Sequence, residues 1–495
     1  MENSIELRQV VYSVLLTQIR FGVYHFGEKL PTIEETSTRF HVSVDTARAA
    51  YLKLKNEGYI TLEKNVGAAV KVRYNSHETE QFIQTFFAMR KASMIDLANA
   101  MGPLFSNAQW FGLRYASKEM LMEMERLSHE KNTAPPYAML EHLSQKYRAL
   151  GNSLLMGLTW QTFMFLFDPF FSIKDNLRYF DGSANYLPTL LKLCREKNWS
   201  ALRDMVDQSI KSLPPALTRF YEAKITAPSP EKEIPFVWTS YKKSQQLCYS
   251  FSMELLISIS RGIYPVGSLL PSQKELAEQK GVSLSTVRRS FELLSSVGAI
   301  KPVKYVGTSV LPFDKATENS DFTNPVLQRR LLDLTESLQI FALSCKEVSM
   351  LTLSSLDLNS VKQLCQKLKA NRERRRGETI SYFILDWIAK SAPYQAIRTV
   401  YSELLLQFFW SYAFRGLQGK QETINAIYEP YFDTLIESLN KRDFPRFSVV
   451  LEELVNYEFC KTMDILSRLG IPGAEHILIP DKIIHKNQEK QETAF

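Results

Sequence analysis

Apolar residues recur at helical spacing over residues 5–21, where Leu7, Val10, Val11, Val14, Leu15 and Ile19 fall on one face before Gly22 ends the run. Gly27 and the Leu30-Pro31 pair predict a turn. Thr32 and Glu35 then stand at the S/T-x-x-E spacing of a capping box, which predicts a second helix through about Phe40. A tight turn at His41-Val42 leads to Ser43, a cap for a third helix of about 14 residues. That helix carries Thr46, Ala47, Ala50, Tyr51 and Leu54 and ends before Gly58. Alternating patterning over Tyr59–Glu63 and Ala69–Arg73, around Asn65-Val66-Gly67, predicts two short strands joined as a hairpin.

The same pattern returns 240 residues later. Residues 19–70 lie on residues 259–310 without a gap, and about a third of the positions are identical, which marks an internal duplication. Ser272 and Glu275 repeat the capping box. The order of helix, helix-turn-helix and two-stranded hairpin is that of a winged helix. The shared residues, I-x-x-G-x-Y-x-x-G-x-x-L-P, then V-S-x-x-T-x-R, then L-x-x-x-G-x-I and a wing glycine, resemble the GntR family of bacterial transcription regulators. Gly22, Gly27, Leu30, Pro31, Ser43, Thr46, Arg48, Gly58 and Gly67 carry the resemblance in the first copy. Gly262, Gly267, Leu270, Pro271, Ser283, Thr286, Arg288, Gly298 and Gly307 carry it in the second. The chain departs from the family pattern at two arginines: Val44 and Leu284 follow the cap serine, and Glu34 and Lys274 occupy the position in the preceding helix.

Between and after the two modules the apolar period is helical throughout. Segments 80–101, 104–128, 137–167 and 184–211 fill the first interval, and 325–348, 355–376, 378–390, 394–416, 424–440 and 444–469 the second. Residues 225–238, ITAPSPEKEIPFVW, read as a linker rich in Pro and charge. The expected fold is mainly α: two winged helix-turn-helix domains (1–75 and 239–313) alternating with two all-helical bundles (78–224 and 325–472), with a polar tail at 473–495. Residues 147–167 lie on 387–407 at the same shift, apolar positions in phase. The bundles loosely resemble the FadR/FCD branch of the family, with E-P-Y-F-D-T-L-I-E-S-L-N-K-R-D-F at 429–444 carrying the likeness.

Composition narrows the picture only a little. Hydrophobic content of 45% supplies ample core, and a net charge of +7 is compatible with a polyanionic partner without demanding one. Cys194, Cys248, Cys345, Cys365 and Cys460 are scattered without CxxC spacing, which reads as reduced thiols. The acidic, h-region-free N-terminus predicts no secretory signal, so the expected location is cytoplasmic. The most apolar run, Leu154–Phe167, is interrupted by Thr159, Gln161 and Thr162 and is expected to be a core helix with no membrane role.

The resemblance implies duplex DNA as partner, with the third helix of each module in the major groove and the wing near the backbone. Candidate contacts are Ser43, Thr46, Arg48, Lys64 and Gly67 in the first copy. In the second they are Ser272, Lys274, Ser283, Ser285, Thr286, Arg288, Arg289, Lys304, Gly307 and Thr308. Hydroxyls suit phosphate oxygens, and an arginine suits a phosphate or a guanine edge. An effector held in the bundles would be a small apolar or aromatic molecule lined by Trp160, Phe163, Phe167, Trp387, Tyr394, Tyr401 or Phe408, although such spacing also describes plain core. Metal-binding members place several histidines in the bundle. Here only His129 and His142 fall there, with Leu187 and Phe432 at one ligand position, so no metal and no other cofactor is expected. Arg372–Arg376 reads as a solvated basic loop. No P-loop, GxSxG, HExxH or dinucleotide pattern appears, and the roughly 165 residues between modules are too few for the aminotransferase-type fusion, so no enzyme is expected. The chain reads as a transcription regulator, its halves forming an intrachain pseudo-dimer or pairing further as a homodimer. The alternative is a protein-interaction scaffold built on degenerate winged helices.

Overall fold

The computed structural model describes residues 2–40, 42–64, 66–129, 135–181, 186–228, 230–239 and 243–480. The polar tail expected at 473–495 is described as far as Pro480, and that part is no free tail, because Ala474 and Ile477 are buried in the core of the second unit. Residues 481–495 and parts of the His41 and Asn65 turns lie outside the described residues, as do the side chains of His129 and His142. The protein is mainly α, with two winged-helix domains and helical regions after each. It divides into two compact units, Met1–Val237 and Trp238–Phe495, apart from the short pieces Gly151–Leu154 and Tyr394–Ala396, which count with the other unit.

In the first unit, α1 (Glu2–Arg20), α2 (Ile33–Arg39) and α3 (Val44–Asn56) precede β1 (Ile60–Glu63) and β2 (Gly67–Val70). The Thr32–Glu35 capping box is complete: the Glu35 amide donates to Thr32 Oγ1 at 3.0 Å and the Thr32 amide to Glu35 Oε2 at 2.7 Å. The hairpin pairs Ile60 with Val70 and Glu63 with Gly67, and Lys29 bridges Ala69 as a short third strand. The second strand thus begins two residues earlier than alternation predicts, because Gly67, at φ +95°, can close the tip directly opposite Glu63.

Helices α4 (Ser76–Ala88), α5 (Lys91–Arg114), α6 (Lys118–His129) and α7 (Pro135–Arg148) follow. After them come α8 (Ser153–Thr162), a π-helical turn at Phe163–Phe167, α9 (Asp168–Phe171), α10 (Leu187–Arg195), α11 (Trp199–Lys211) and α12 (Leu213–Lys224). The break expected near Gly102-Pro103 is absent. Pro103 lies inside α5, and the chain breaks instead at Met89-Arg90. Proline forfeits one backbone hydrogen bond, but Ala100, Met101, Leu104 and Phe105 are all buried, so packing on both sides of Pro103 holds the helix together. Near its end α5 crosses α7 so closely that a Cβ on Gly112 would lie 2.0 Å from the Lys146 carbonyl oxygen. Gly112→Ala is therefore expected to destabilise the first unit by about 1–3 kcal/mol, measured as a lowered unfolding midpoint.

The second unit repeats the design. Its α13 (Lys243–Ser260), α14 (Gln273–Lys280), α15 (Leu284–Ser296), β3 (Ile300–Val303) and β4 (Gly307–Val310) make the second winged helix. Helices α3 and α15 begin and end 240 residues apart, as do both strands of each hairpin. The hydrogen bonds repeat too: Gly27 to Val70 and Leu30 to Ala68 in one copy, Gly267 to Val310 and Leu270 to Thr308 in the other. After it come α16 (Ala316–Asn319), α17 (Pro325–Ser354), α18 (Leu358–Glu373), α19 (Ile380–Ser391), α20 (Gln395–Leu405), a 3-10 stretch at Leu406–Leu417, α21 (Gln421–Lys441) and α22 (Phe444–Arg468).

Each winged helix shares a core with helices of its own unit. Val11, Leu15 and Ile19 of α1 pack in one cluster with Trp160, Phe163 and Met164. Leu255, Val287 and Leu294 pack with Leu331, Trp410 and Leu466. The apolar stretch Ser153–Phe171 is long enough to cross a membrane by length and composition, but 56% of it is buried inside the protein. The described residues of 225–238 adopt no helix or strand, yet they are not a free tether. Ile234 donates to the Met89 carbonyl at 2.7 Å, Glu233 accepts from the Ala92 amide at 2.8 Å, and Phe236 is buried against Phe165. None of the five cysteines forms a disulfide.

Candidate nucleic-acid interface

The N-termini of α3 and α15 are built the same way. Ser43 accepts from the Thr46 amide at 3.1 Å and Ser283 from the Thr286 amide at 3.1 Å, so each serine satisfies a backbone donor that the helix cannot. Each hydroxyl also lies 2.8 Å from its threonine partner's hydroxyl. Thr46 and Thr286 are buried by this arrangement, so they set the geometry of the cap and Ser43, Ser283 and Ser285 face outward. In the preceding helix of the second copy, Ser272 completes a capping box with Glu275, leaving Lys274 exposed. The backbone contact to Ser272 holds the Glu275 carboxyl below its usual range.

The outer faces differ in charge. In α3, Arg48 is tied to Asp45 at 2.9 Å, and Val44 and Leu52 are exposed around them. In α15, Arg288 and Arg289 are both exposed and neither is in an ion pair among the described residues. Position 49, equivalent to 289, is alanine. Two exposed guanidiniums thus project from α15, against one paired internally in α3.

The wings add further cations. Lys64 is exposed on the first, and Lys301 and Lys304 on the second, where Thr308 is half-buried in β4. Gly67 and Gly307, at φ +95° and +142°, shape the hairpins. Tyr305 at the second wing tip, not among the contacts expected from the sequence, is 94% exposed at φ +62°. Its signal was the aligned repeat itself, which puts an aromatic ring where the first copy has Asn65.

The aromatic residues expected around an effector are mostly packed core. Trp160 and Phe163 are buried in the cluster that joins α1 to α8, with Phe167 packed against it. Tyr401 is fully buried, 4.9 Å from the Phe341 ring, and its hydroxyl lies 2.9 Å from Ser344 Oγ. Trp387 and Tyr394 are half-buried, as is Phe408. A pocket of about 610 Å³ in the second unit is lined instead by Arg372, Arg375, Gly377, Asn425, Glu429 and Phe432. There the basic run is partly neutralised: Arg372 pairs with Glu429 and Asp433, and Arg376 with Glu378, leaving Arg374 and Arg375 exposed. Among the described residues no group of three or more His, Cys, Asp or Glu is placed to hold a metal ion.

Residues 7–70 and 252–310 each match the family described as bacterial regulatory proteins, gntR family. The chain carries two gntR-family domains. Their matched residues hold all of the caps, recognition helices and wings described above. The chain is similar to an uncharacterized HTH-type transcriptional regulator of Escherichia coli strain K12, YieP, at 37% identity over 68 residues. That match spans 14% of this chain and 30% of YieP, so it is confined to about one gntR-family domain. Solved structures that resemble part of the chain include a Streptococcus agalactiae GntR, at 17% identity and TM-score 0.19, covering 43% of this chain and 98% of that one. E. coli McbR/YncC aligns at 18% identity and TM-score 0.24, covering 45% and 95%.

Proposed function

We propose that this chain is a cytoplasmic, DNA-binding transcription regulator in which both gntR-family domains engage one operator as a covalent pseudo-dimer. The observation that carries this is the duplicated recognition unit: two equal helices, capped alike, each beside a cationic wing, in a single polypeptide. Linking two readers makes the second binding event intramolecular and raises its effective concentration. The unequal faces of α3 and α15 suit an asymmetric site, with α15 reading base edges and α3 supplying mainly position. Ser272, Lys274, Ser283, Ser285, Lys304 and Thr308 serve phosphates in this reading, as do Ser43 and Lys64 in the first copy. No effector is assigned to Trp160, Phe163, Trp387, Tyr394 or Tyr401, and no catalysis to any residue.

The neutral α3 face, with Val44 and Leu52 exposed, favours a second reading for the first module alone: a protein-docking surface. Both readings are tested with a duplex selected by the intact chain from a random pool. One chain is expected per duplex, with two separated footprints. If about six phosphates are neutralised, log affinity should fall with log salt at a slope of about −5. Two chains per duplex, each protecting one footprint, would rule out the pseudo-dimer. Failure to select any duplex at low salt would rule out DNA binding.

A further inference from the structure

The second wing carries an apolar tip that nothing in the fold requires. Strands β3 and β4 close between Val303 and Gly307, the Val306 amide donates to the Val303 carbonyl at 3.1 Å, and Lys304, Tyr305 and Val306 form the turn. Tyr305 stands 94% exposed at φ +62°, a conformation that side chains larger than Asn rarely adopt. Val303 and Val306 are 42% and 60% exposed beside it. Leu269, also exposed, lies within 3.7 Å of where a Cβ on Gly307 would be, so the apolar surface continues down the hairpin. Two cations accompany it: Lys304 Nζ sits 4.9 Å from the Tyr305 ring centroid, and Lys301 is exposed on β3. The first copy is an internal comparison, with Lys29 and Glu63 at the positions of Leu269 and Val303.

An exposed aromatic tip with one lysine beside its ring and another further down β3 matches the chemistry of a stacked, phosphate-lined groove: apolar wedges enter between base steps while lysines hold the backbone. We propose that Tyr305 is such a wedge, partly unstacking one base step of the half-site bound by the second module and bending the duplex there, with Lys301 and Lys304 on the flanking phosphates. This rests on the DNA-binding reading above. The hairpin hydrogen bonds hold the tip in place before DNA arrives, so little ordering is needed on contact.

The test uses the full chain and the duplex that it selects, with 2-aminopurine placed in turn at each adenine-compatible step and donor and acceptor dyes at the ends. Wild type is expected to raise 2-aminopurine fluorescence several-fold at one step and to shorten the end-to-end distance. Tyr305→Ala should abolish both signals and weaken binding about 10-fold, while Tyr305→Phe, which keeps the ring, should preserve them. An unchanged melting temperature in Tyr305→Ala excludes a folding defect, since the side chain is solvent-facing. If the wild-type chain binds but Tyr305→Ala unstacks and bends the duplex as well as wild type, or if wild type perturbs no step, the wedge is refuted and DNA binding stands. If wild type binds no duplex, both readings fall together.

Discussion

Replacing Arg288 and Arg289 together with alanine is expected to weaken binding to the selected duplex by on the order of 100-fold, whereas Arg48→Ala should change it only a few-fold. Each well-placed arginine is worth about 1–3 kcal/mol on a guanine edge, and two lost together reach that factor. The contrast arises because α3 and α15 agree in length, cap and buried face and differ in what they present. Arg48 already spends its charge on Asp45 at 2.9 Å, so removing it costs the duplex little. Arg288 and Arg289 have no such partner, and Glu292, one turn further along the helix, is exposed without pairing to either. The same logic gives a gain: Asp45→Ala should free Arg48 and strengthen binding. Anisotropy titration at fixed salt reads all three variants, and equal losses from Arg48 and from the Arg288/Arg289 pair would overturn the asymmetry.

How far the sequence revealed this is uneven, for physical reasons. Caps, glycines and apolar stripes are local signals, and they located Thr32, Ser43, Ser272 and Ser283 to the residue, because a capping hydrogen bond spans only three positions. Burial is a long-range property. Trp160 and Phe163 have the same spacing whether they line a pocket or fill a core, and their burial in one cluster with α1 depends on residues far away in the chain. Pro103 looked like a helix end because its local cost is plain, while the buried neighbours that hold α5 together across it are not. The contact between Gln18 and Asp168, 150 residues apart, had no sequence signal at all.

That contact sets the second large effect. Asp168→Asn is expected to stabilise the first unit above neutral pH by roughly 2–4 kcal/mol, several degrees in melting temperature. Asp168 is fully buried where α9 meets α1, and Gln18 Nε2 donates to its Oδ1 at 2.8 Å. Burial pushes its carboxyl up to about 7, with the Gln18 hydrogen bond opposing the shift only partly. An acid whose folded value lies above its unfolded one holds its proton more tightly in the native state. Its contribution therefore falls as pH rises from about 4 and is fully lost above about 7. Asparagine keeps the shape and can accept the same Gln18 hydrogen bond but never ionises, so wild type and variant should nearly coincide at pH 4 and diverge through pH 7. Glu458 in the second unit, also raised to about 7 by burial, adds the same trend to both proteins and cancels in the comparison. Positions 408 and 258, equivalent to 168 and 18, are Phe and Ser, so this pair has no counterpart in the second half. Melting curves of the two proteins at pH 4, 6 and 8 decide the matter, and a constant difference across them would show that Asp168 stays ionised in the folded chain.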